Sequence, residues 1–585
     1  MTDRDWGEIS LGRLFHTVRE LRARQIAGQV RRRLAPLWED AERFAGRPSP
    51  AWPGVAWRPR VGLLPPVCES SRERLRAGWF EFQGQASPLG WPPDWEAPGL
   101  PALWRYHLHY FEFLWSLEWS EARELTLDWI ARHPLARGRV GWGSYPISLR
   151  LLNGCGFFFG LHRERTAGDP DFEAALWRSV WLQAEWLRTH LEWHLLGNHL
   201  LENGIALAYA GSCFAGPAAD TWRREGLAIL RREIPEQILP DGGHFERSTM
   251  YQARAVYALG ALLDVGDEEL RALVDEPLER MARALARLCH PDGGIALLND
   301  SALGAQPETG ALQGWLARLS TREAPSAGPG VFALPETGYY GAREASGHYL
   351  VCDAAPIGPD HLPGHAHGDL FSFELSLAGR RVVVDAGIFG YEPDERRRFA
   401  RSTRAHNTVE IGGEDQCEFW AAFRVARRGH PRDVVFRERA GGFALEGWHD
   451  GYTRLPGAPR HARRLVWHRD GVLLVRDRVE AARSVRAVSR VHLHPECRIE
   501  ATEGTGVRVA HPGGVFQVRF AGSGVLRVEP SRHFPRFGTE HATLALAFAA
   551  EGARIEMGFC IASGSEALGY DLAAGATFGE RSYGW

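Results

Sequence analysis

The amino-acid sequence predicts an α+β multidomain chain, a series of helices followed by an antiparallel β-sandwich, and two changes of texture carry that prediction. Over residues 86–325 apolar side chains recur at spacings of three and four, most clearly in 175–196, 198–214 and 249–265. Gly and Pro punctuate these runs, as in Leu239-Pro240-Asp241-Gly242-Gly243. Helical hairpins in series point to an α/α toroid or solenoid, although no clean sequence repeat accompanies them. Over residues 331–585 the period falls to two. The stretches 348–355, 370–387, 433–448, 462–480, 515–522 and 544–552 read as strands, with turn residues such as Arg469-Asp470-Gly471 between them. Residues 1–85, rich in Arg and Pro, are read as an extension with one helical stretch and then an irregular segment, packed on the helical domain.

Length and composition narrow the function. A chain of 585 residues, 44% hydrophobic and 24% charged, is an ordinary globular chain of two to four domains. A net charge of −3 gives no reason to expect nucleic-acid binding. The sequence contains no Lys, which excludes Schiff-base and P-loop lysine chemistry and leaves Arg forks suited to carboxylate or sulfate groups. Trp occurs 22 times; such rings pack cores and also hold sugars. The eight cysteines are scattered without a CxxC, as expected of free thiols rather than a disulfide framework or a cysteine zinc site. No secretory signal and no membrane-spanning run is visible, so the expected address is cytoplasmic by default, with export or membrane association open. The Arg-rich opening reads as a helix, either solvated or lying on an anionic surface.

The chemistry-bearing residues fall in short segments. Gly364-His365-Ala366-His367-Gly368-Asp369 places two histidines two apart. Asp385 closes the apolar run Val382-Val383-Val384, and His406-Asn407-Thr408 follows. His, Asp and His are a plausible set for a borderline divalent metal, zinc first. In the helical region Asn198-His199 and Glu202 share one stretch, with His199 and Glu202 three apart on a helix face and Asn198 in position to cap it. Farther on, Glu246-Arg247-Ser248-Thr249 precedes Tyr251, with Ser248 or Thr249 available to cap the next helix.

Together these segments resemble the heparinase II/III family of polysaccharide lyases over most of the chain. The likeness includes Leu103-Trp104-Arg105-Tyr106-His107, Tyr145-Pro146-Ile147-Ser148, Asn198-His199 with Glu202-Asn203, Glu246-Arg247-Ser248 with Tyr251, His365-x-His367-x-Asp369, Asp385-x-Gly387 and His406-Asn407-Thr408. The resemblance implies an N-terminal (α/α) toroid, a C-terminal antiparallel β-sandwich and an active site between them. It implies β-elimination on a uronic-acid-containing polysaccharide, either glycosaminoglycan-like or a bacterial exopolysaccharide. Asn198 and His199 would bind and neutralise the uronate carboxylate, with Glu202 orienting them. Tyr251 and His365 would move protons, either Tyr251 alone in a syn elimination or His365 (or His199) as base with Tyr251 as acid in an anti one. Arg247 would either supply the cation that lowers the Tyr251 pKa or form a structural ion pair, and Tyr391, Arg401 and Arg404 are candidate substrate contacts. His367, Asp385 and His406 match the family's metal ligands, read as a structural zinc site.

The chain departs from the family pattern at Gln252, where a His often follows the tyrosine, and in lacking a visible signal peptide. Two rival functions remain at this point. A glycoside hydrolase on the same toroid would need two carboxylates from among Asp241, Glu246, Asp300 and Asp369. A non-catalytic polysaccharide-binding protein of exopolysaccharide biosynthesis would need no convergence of Asn198, His199, Tyr251 and His365. Asp369 itself is assigned only to strand or loop structure.

Overall fold

A computed structural model describes residues 10–37, 39–57, 59–319 and 327–585. Apart from a short hairpin of Trp79–Phe82 with Gln85–Pro88, helices run through Thr309–Leu319 and strands follow from Gly330–Leu334, so the order is the α+β order expected; the boundary expected at 325 lies outside the described residues.

The helices at the centre of the array are the ones that reach the site. Pro170–Thr189 starts at Asp169, whose carboxylate accepts from the Phe172 N–H, with Pro170 at the first helical position. It buries Phe172, Leu176, Trp177, Val180, Ala184 and Leu187 on one face. Gly197–Cys213 and Thr249–Asp264 are buried almost all round, which is why their apolar pattern is continuous rather than striped. The small residues of Gly197–Cys213 have a packing purpose. A Cβ on Gly211 would collide with the backbone of Arg223, and one on Gly226 with the backbone of Ala208, so these glycines let Pro217–Gln237 lie directly against it.

The β region consists of a five-stranded antiparallel sheet (Gly330–Leu334 to Arg380–Val383) facing a ten-stranded one whose core strands are Val472–His492 and His541–Ser563. Their inner faces share one core: Leu350, Cys352, Phe373 and Leu375 from the first sheet meet Leu445, Leu465, Val475, Phe548 and Phe559 from the second. This is a sandwich. The Arg460–His468 and Val472–His492 strands are joined by the three residues Arg469, Asp470 and Gly471, the last two at positive φ (68° and 73°), a conformation that Asp and Gly tolerate.

The N-terminal extension differs from expectation. Helix Leu11–Val18 docks on the sandwich side, where Thr17 Oγ1 accepts from the Trp420 ring N–H and Arg13 pairs with Glu418. Helix Ala23–Leu34 sits between the two regions, Gln25 donating to the carbonyls of Leu195 and His361. The irregular part does lie on the helices: Asp264 accepts from the Val61 and Gly62 N–H groups, and Trp52 stacks on Phe159. Sequence periodicity misses the split because both dockings use single polar side chains.

Candidate active site at the helix–sandwich junction

The site forms where the N-terminus of Gly197–Cys213, the N-terminus of Thr249–Asp264 and the loops 295–301, 359–372 and 384–407 converge. Gly197 makes the first contact. Its φ is 56°, and a Cβ there would run into the Glu246 carboxylate. Without one, Glu246 accepts both from the Asn198 backbone N–H and from its side-chain amide, each at 2.8 Å. Asn198 therefore sits inside the first helical turn as a residue held by Glu246, not as the helix cap expected; Leu196 occupies that position. His199 packs against Tyr145, with ring centroids 4.6 Å apart and the rings tilted by 46°, and its Nδ1 lies 3.1 Å from a Glu192 oxygen. Burial pulls the His199 pKa down, but the Glu192 carboxylate outweighs it and the net shift is upward, which favours an imidazolium.

Ser248 caps the second helix by accepting from the Tyr251 N–H. The Tyr251 ring lies on the His365 ring at 4.1 Å, and its hydroxyl is 3.2 Å from that of Tyr391. Burial raises the Tyr251 pKa well above the ordinary value; the Tyr391 hydroxyl and Arg397 only partly offset this, so the phenol keeps its proton. Tyr391 and His365 border Phe423, an aromatic left 41% exposed at the edge of the cluster.

Asp300 organises the histidines. Its two oxygens meet His365 Nδ1 at 2.8 Å and His367 Nε2 at 2.9 Å, and the fully buried Arg397 guanidinium binds both oxygens. Burial alone would raise the Asp300 pKa, yet Arg397, His365 and His367 hold it well below the carboxylate range, so it stays ionised. His365 Nε2 faces Glu246 Oε2 at 3.3 Å. Glu246 thus links Asn198 of the helical region to His365 of the sandwich loops.

Beyond Asp300 lie His367, Asp385 and His406, all buried, each with a ligand atom within 4.8 Å of the others. His406 Nδ1 is 2.6 Å from an Asp385 oxygen, and His367 Nδ1 and His406 Nε2 have no hydrogen-bond partner. Two orphaned ring nitrogens beside a carboxylate, with Asp300 fixing the far side of His367, fit a divalent cation. Asp369 is not a neutral loop residue. It is buried, one of its oxygens is unpaired, and burial together with Asp385 raises its pKa to about 6.

Several expected substrate contacts are engaged elsewhere. Glu202 forms a bidentate buried ion pair with Arg254 and does not orient His199, whose partner is Glu192. Arg247 donates to the carbonyls of Phe245, Glu336 and Thr337, so the cation acting on Tyr251 is Arg397. Arg401 is buried and donates to Ala366 and Ala421 carbonyls. Arg404 is exposed, with no contact to Tyr251 or His365 among the described residues. Glu192, Arg397 and Phe423 were not foreseen, and Asp300 was named only as a candidate hydrolase carboxylate, not as the partner of His365 and His367. Asp300 follows the apolar run 295–298, a position like that of Asp385, and this parallel is the signal that could have pointed to its role beside the histidines.

Models of two halves of one family match consecutive parts of the chain: the heparinase II/III N-terminus over 118–324 and the heparinase II/III-like C-terminal region over 326–567. The chain belongs to the heparinase II/III-like family. A heparin-sulfate lyase of Pedobacter heparinus is 27% identical over 337 residues, 53% of this chain and 50% of that protein. The FtsZ-localized protein C of Caulobacter vibrioides is 24% identical over 362 residues, 57% of this chain and 60% of that protein. The chain thus spans about half to three fifths of these curated relatives. A crystal structure of heparinase III superposes with a TM-score of 0.66 at 16% identity, covering 86% of this chain and 85% of that one, which establishes the shared family fold.

Proposed function

We propose that this heparinase II/III-like protein is a polysaccharide lyase that cleaves a uronic-acid-containing polysaccharide by β-elimination. The observation carrying the reading is the Glu246 bridge. It ties the Asn198 amide, beside a His199 held cationic by Glu192, to His365, which is stacked under Tyr251. A uronate carboxylate disfavours a carbanion at the neighbouring C5, so it must be neutralised before the C5 proton leaves. His199 and the Asn198 amide supply that neutralisation, a role in which removing one donor costs on the order of 3–4 kcal/mol. Asp300 accepts from His365 Nδ1–H, and the unprotonated Nε2 takes the C5 proton, giving an imidazolium whose new N–H faces Glu246 Oε2. Tyr251, which retains its proton, donates it to the departing O4. Of the two routes, this is the anti assignment. Tyr391 hydrogen-bonds the Tyr251 hydroxyl, and Phe423 offers a flat apolar face to a sugar ring.

His367, Asp385 and His406 would hold a divalent metal, zinc first. Bound there, it would supply structural cross-linking of the loops that present His365. The name of the Pedobacter relative makes heparan-type chains the first substrates to try, with exopolysaccharides next. A hydrolase is disfavoured because its candidate carboxylates are committed. Asp300 is locked to Arg397, Asp241 to Thr337, and Glu246 to Asn198, while Asp369 is buried beside Asp385.

The test is incubation with a panel of uronic polysaccharides, monitored by ultraviolet absorbance of the unsaturated uronate. Appearance of that absorbance supports the lyase. Chain shortening without it would refute the reading in favour of hydrolysis, and no change on any substrate would refute it in favour of a binding protein.

A further inference from the structure

The N-terminal helices are packed inside out. Between Leu11 and Leu37 only Thr17, Gln25 and the small Ala35 are buried, and no large apolar side chain is. Thr17 and Gln25 are buried and hydrogen-bonded to Trp420 and Val425 and to the Leu195 and His361 carbonyls. The apolar ones face outward: Leu11 (86% exposed), Leu14, Phe15 (62%) and Val18 on the first helix, Ile26, Val30 and Leu34 on the second, and Leu37 just beyond. These are eight of the fourteen large apolar side chains left exposed among the described residues, crowded into one short stretch of a 585-residue chain. Scattered exposed apolar residues need no explanation, but a cluster built on helical spacing does.

Charge identifies what fits against it. The same stretch carries seven arginines (Arg13, Arg19, Arg22, Arg24, Arg31, Arg32 and Arg33) against one acid, Glu20. Arg13, Arg19 and Arg22 pair with Glu418, Glu20 and Glu236. Arg24, Arg31, Arg32 and Arg33 are exposed, and the contacts made by Arg31 and Arg32 are to neutral groups, the Thr189 carbonyl and the His194 ring. Outward Leu, Phe, Ile and Val interleaved with unneutralised arginine is the chemistry of an interfacial helix. Acyl chains take the apolar side chains and anionic headgroups take the guanidinium groups. A second copy of the chain would bring its arginines against these, and a soluble polyanion would leave eight apolar side chains in water. No described helix is long and apolar enough to cross a bilayer, so the contact is with the surface.

We propose that Leu11–Leu37 is a docking surface for an anionic lipid membrane. The helices are held to the body by Thr17 and Gln25, so docking does not require them to detach. Helix Leu11–Val18 is bonded at Thr17 to Trp420 and Val425, on the two short strands that flank Phe423 at the edge of the active site.

Co-sedimentation of the full chain with vesicles tests this. One vesicle set is phosphatidylcholine alone and the other is equal parts phosphatidylcholine and phosphatidylglycerol. The expected result is binding to the anionic vesicles only, weakened by added salt. Removing three exposed charges (Arg24→Gln, Arg31→Gln, Arg33→Gln) should weaken it on the order of 100-fold. A second variant (Phe15→Gln, Val18→Gln, Ile26→Gln, Val30→Gln) should lose it while keeping the wild-type thermal transition, because these side chains are exposed. Absence of co-sedimentation would overturn the proposal, as would equal binding by the wild type and both variants. So would a lipid-free dimer that the apolar substitutions dissolve.

Discussion

Asp300→Asn is the substitution with the most to reveal, because one carboxylate serves three partners at once. The side chain is fully buried and so is Arg397, whose guanidinium binds both Asp300 oxygens and the Ala422 carbonyl. Asparagine keeps the volume and one acceptor but removes the charge. Leaving a buried guanidinium uncompensated costs about 3–5 kcal/mol. That is a large share of the roughly 5–15 kcal/mol available to a domain. The thermal midpoint of the unit containing the site should fall on the order of 5–10 °C. The asparagine NH2 must face His365 or His367; facing His365 it forces the wrong tautomer, and in either orientation the charge that stabilises the His365 imidazolium is gone, so turnover should fall about 100-fold or more. The pH dependence has a fixed sign. The Asp300 pKa is depressed, so its stabilisation is present above the unfolded value near 3.8 and is lost only as pH falls through the lower folded value. The difference between wild type and Asp300→Asn should therefore be flat from neutrality down to mildly acidic pH and shrink below that. Differential scanning calorimetry with a parallel elimination assay reads both effects. An Asp300→Asn protein that melts with the wild type and retains full turnover would refute the account of the site.

Three further outcomes follow from the geometry. Tyr251→Phe should lower turnover by about 10²–10⁴ with substrate affinity little changed, because it removes the acid and leaves the ring on His365; circular dichroism checks the fold and initial rates check the loss. The His199 pKa is raised, so its ion pair with Glu192 is fully formed below 6.5 and lost as pH rises through the folded value. kcat/KM on a uronate substrate should fall on that alkaline limb, and Glu192→Gln should move the limb to lower pH. His406→Ala should abolish bound divalent metal, measured by elemental analysis of the purified protein, and lower the melting temperature, whereas Arg404→Ala should leave the metal content unchanged.

The order of helices before strands was legible because the apolar period changes once, near residue 330, and never returns. The Asn198, His199, Tyr251 and His365 segments were legible because each is a short local motif at a helix start or a loop. The partners of these residues were not. Glu192, Asp300 and Arg397 act across long sequence separations, and nothing local distinguishes a charge that is buried and paired from one at the surface. For the same reason Glu202 and Arg247 were misread. Both stand beside motif residues in sequence, but buried Arg254 takes the first and a row of turn carbonyls takes the second. In the N-terminal helices the residue pattern left two readings open, a solvated helix or one lying on an anionic surface. An apolar stripe ordinarily marks the inward face, and here the stripe faces out.

The position of Asp300 also bears on how the two regions depend on each other. It belongs to the stretch that closes the helical array, while everything it grips (His365, His367 and Arg397) belongs to the sandwich loops. Glu246 repeats the arrangement from a second point, reaching from the helices to His365. Neither region contains a finished proton-transfer group of its own. Chains cut near residue 325 and mixed as separate pieces should regain activity only to the extent that they re-dock, so turnover becomes a direct gauge of how faithfully the two halves are aligned.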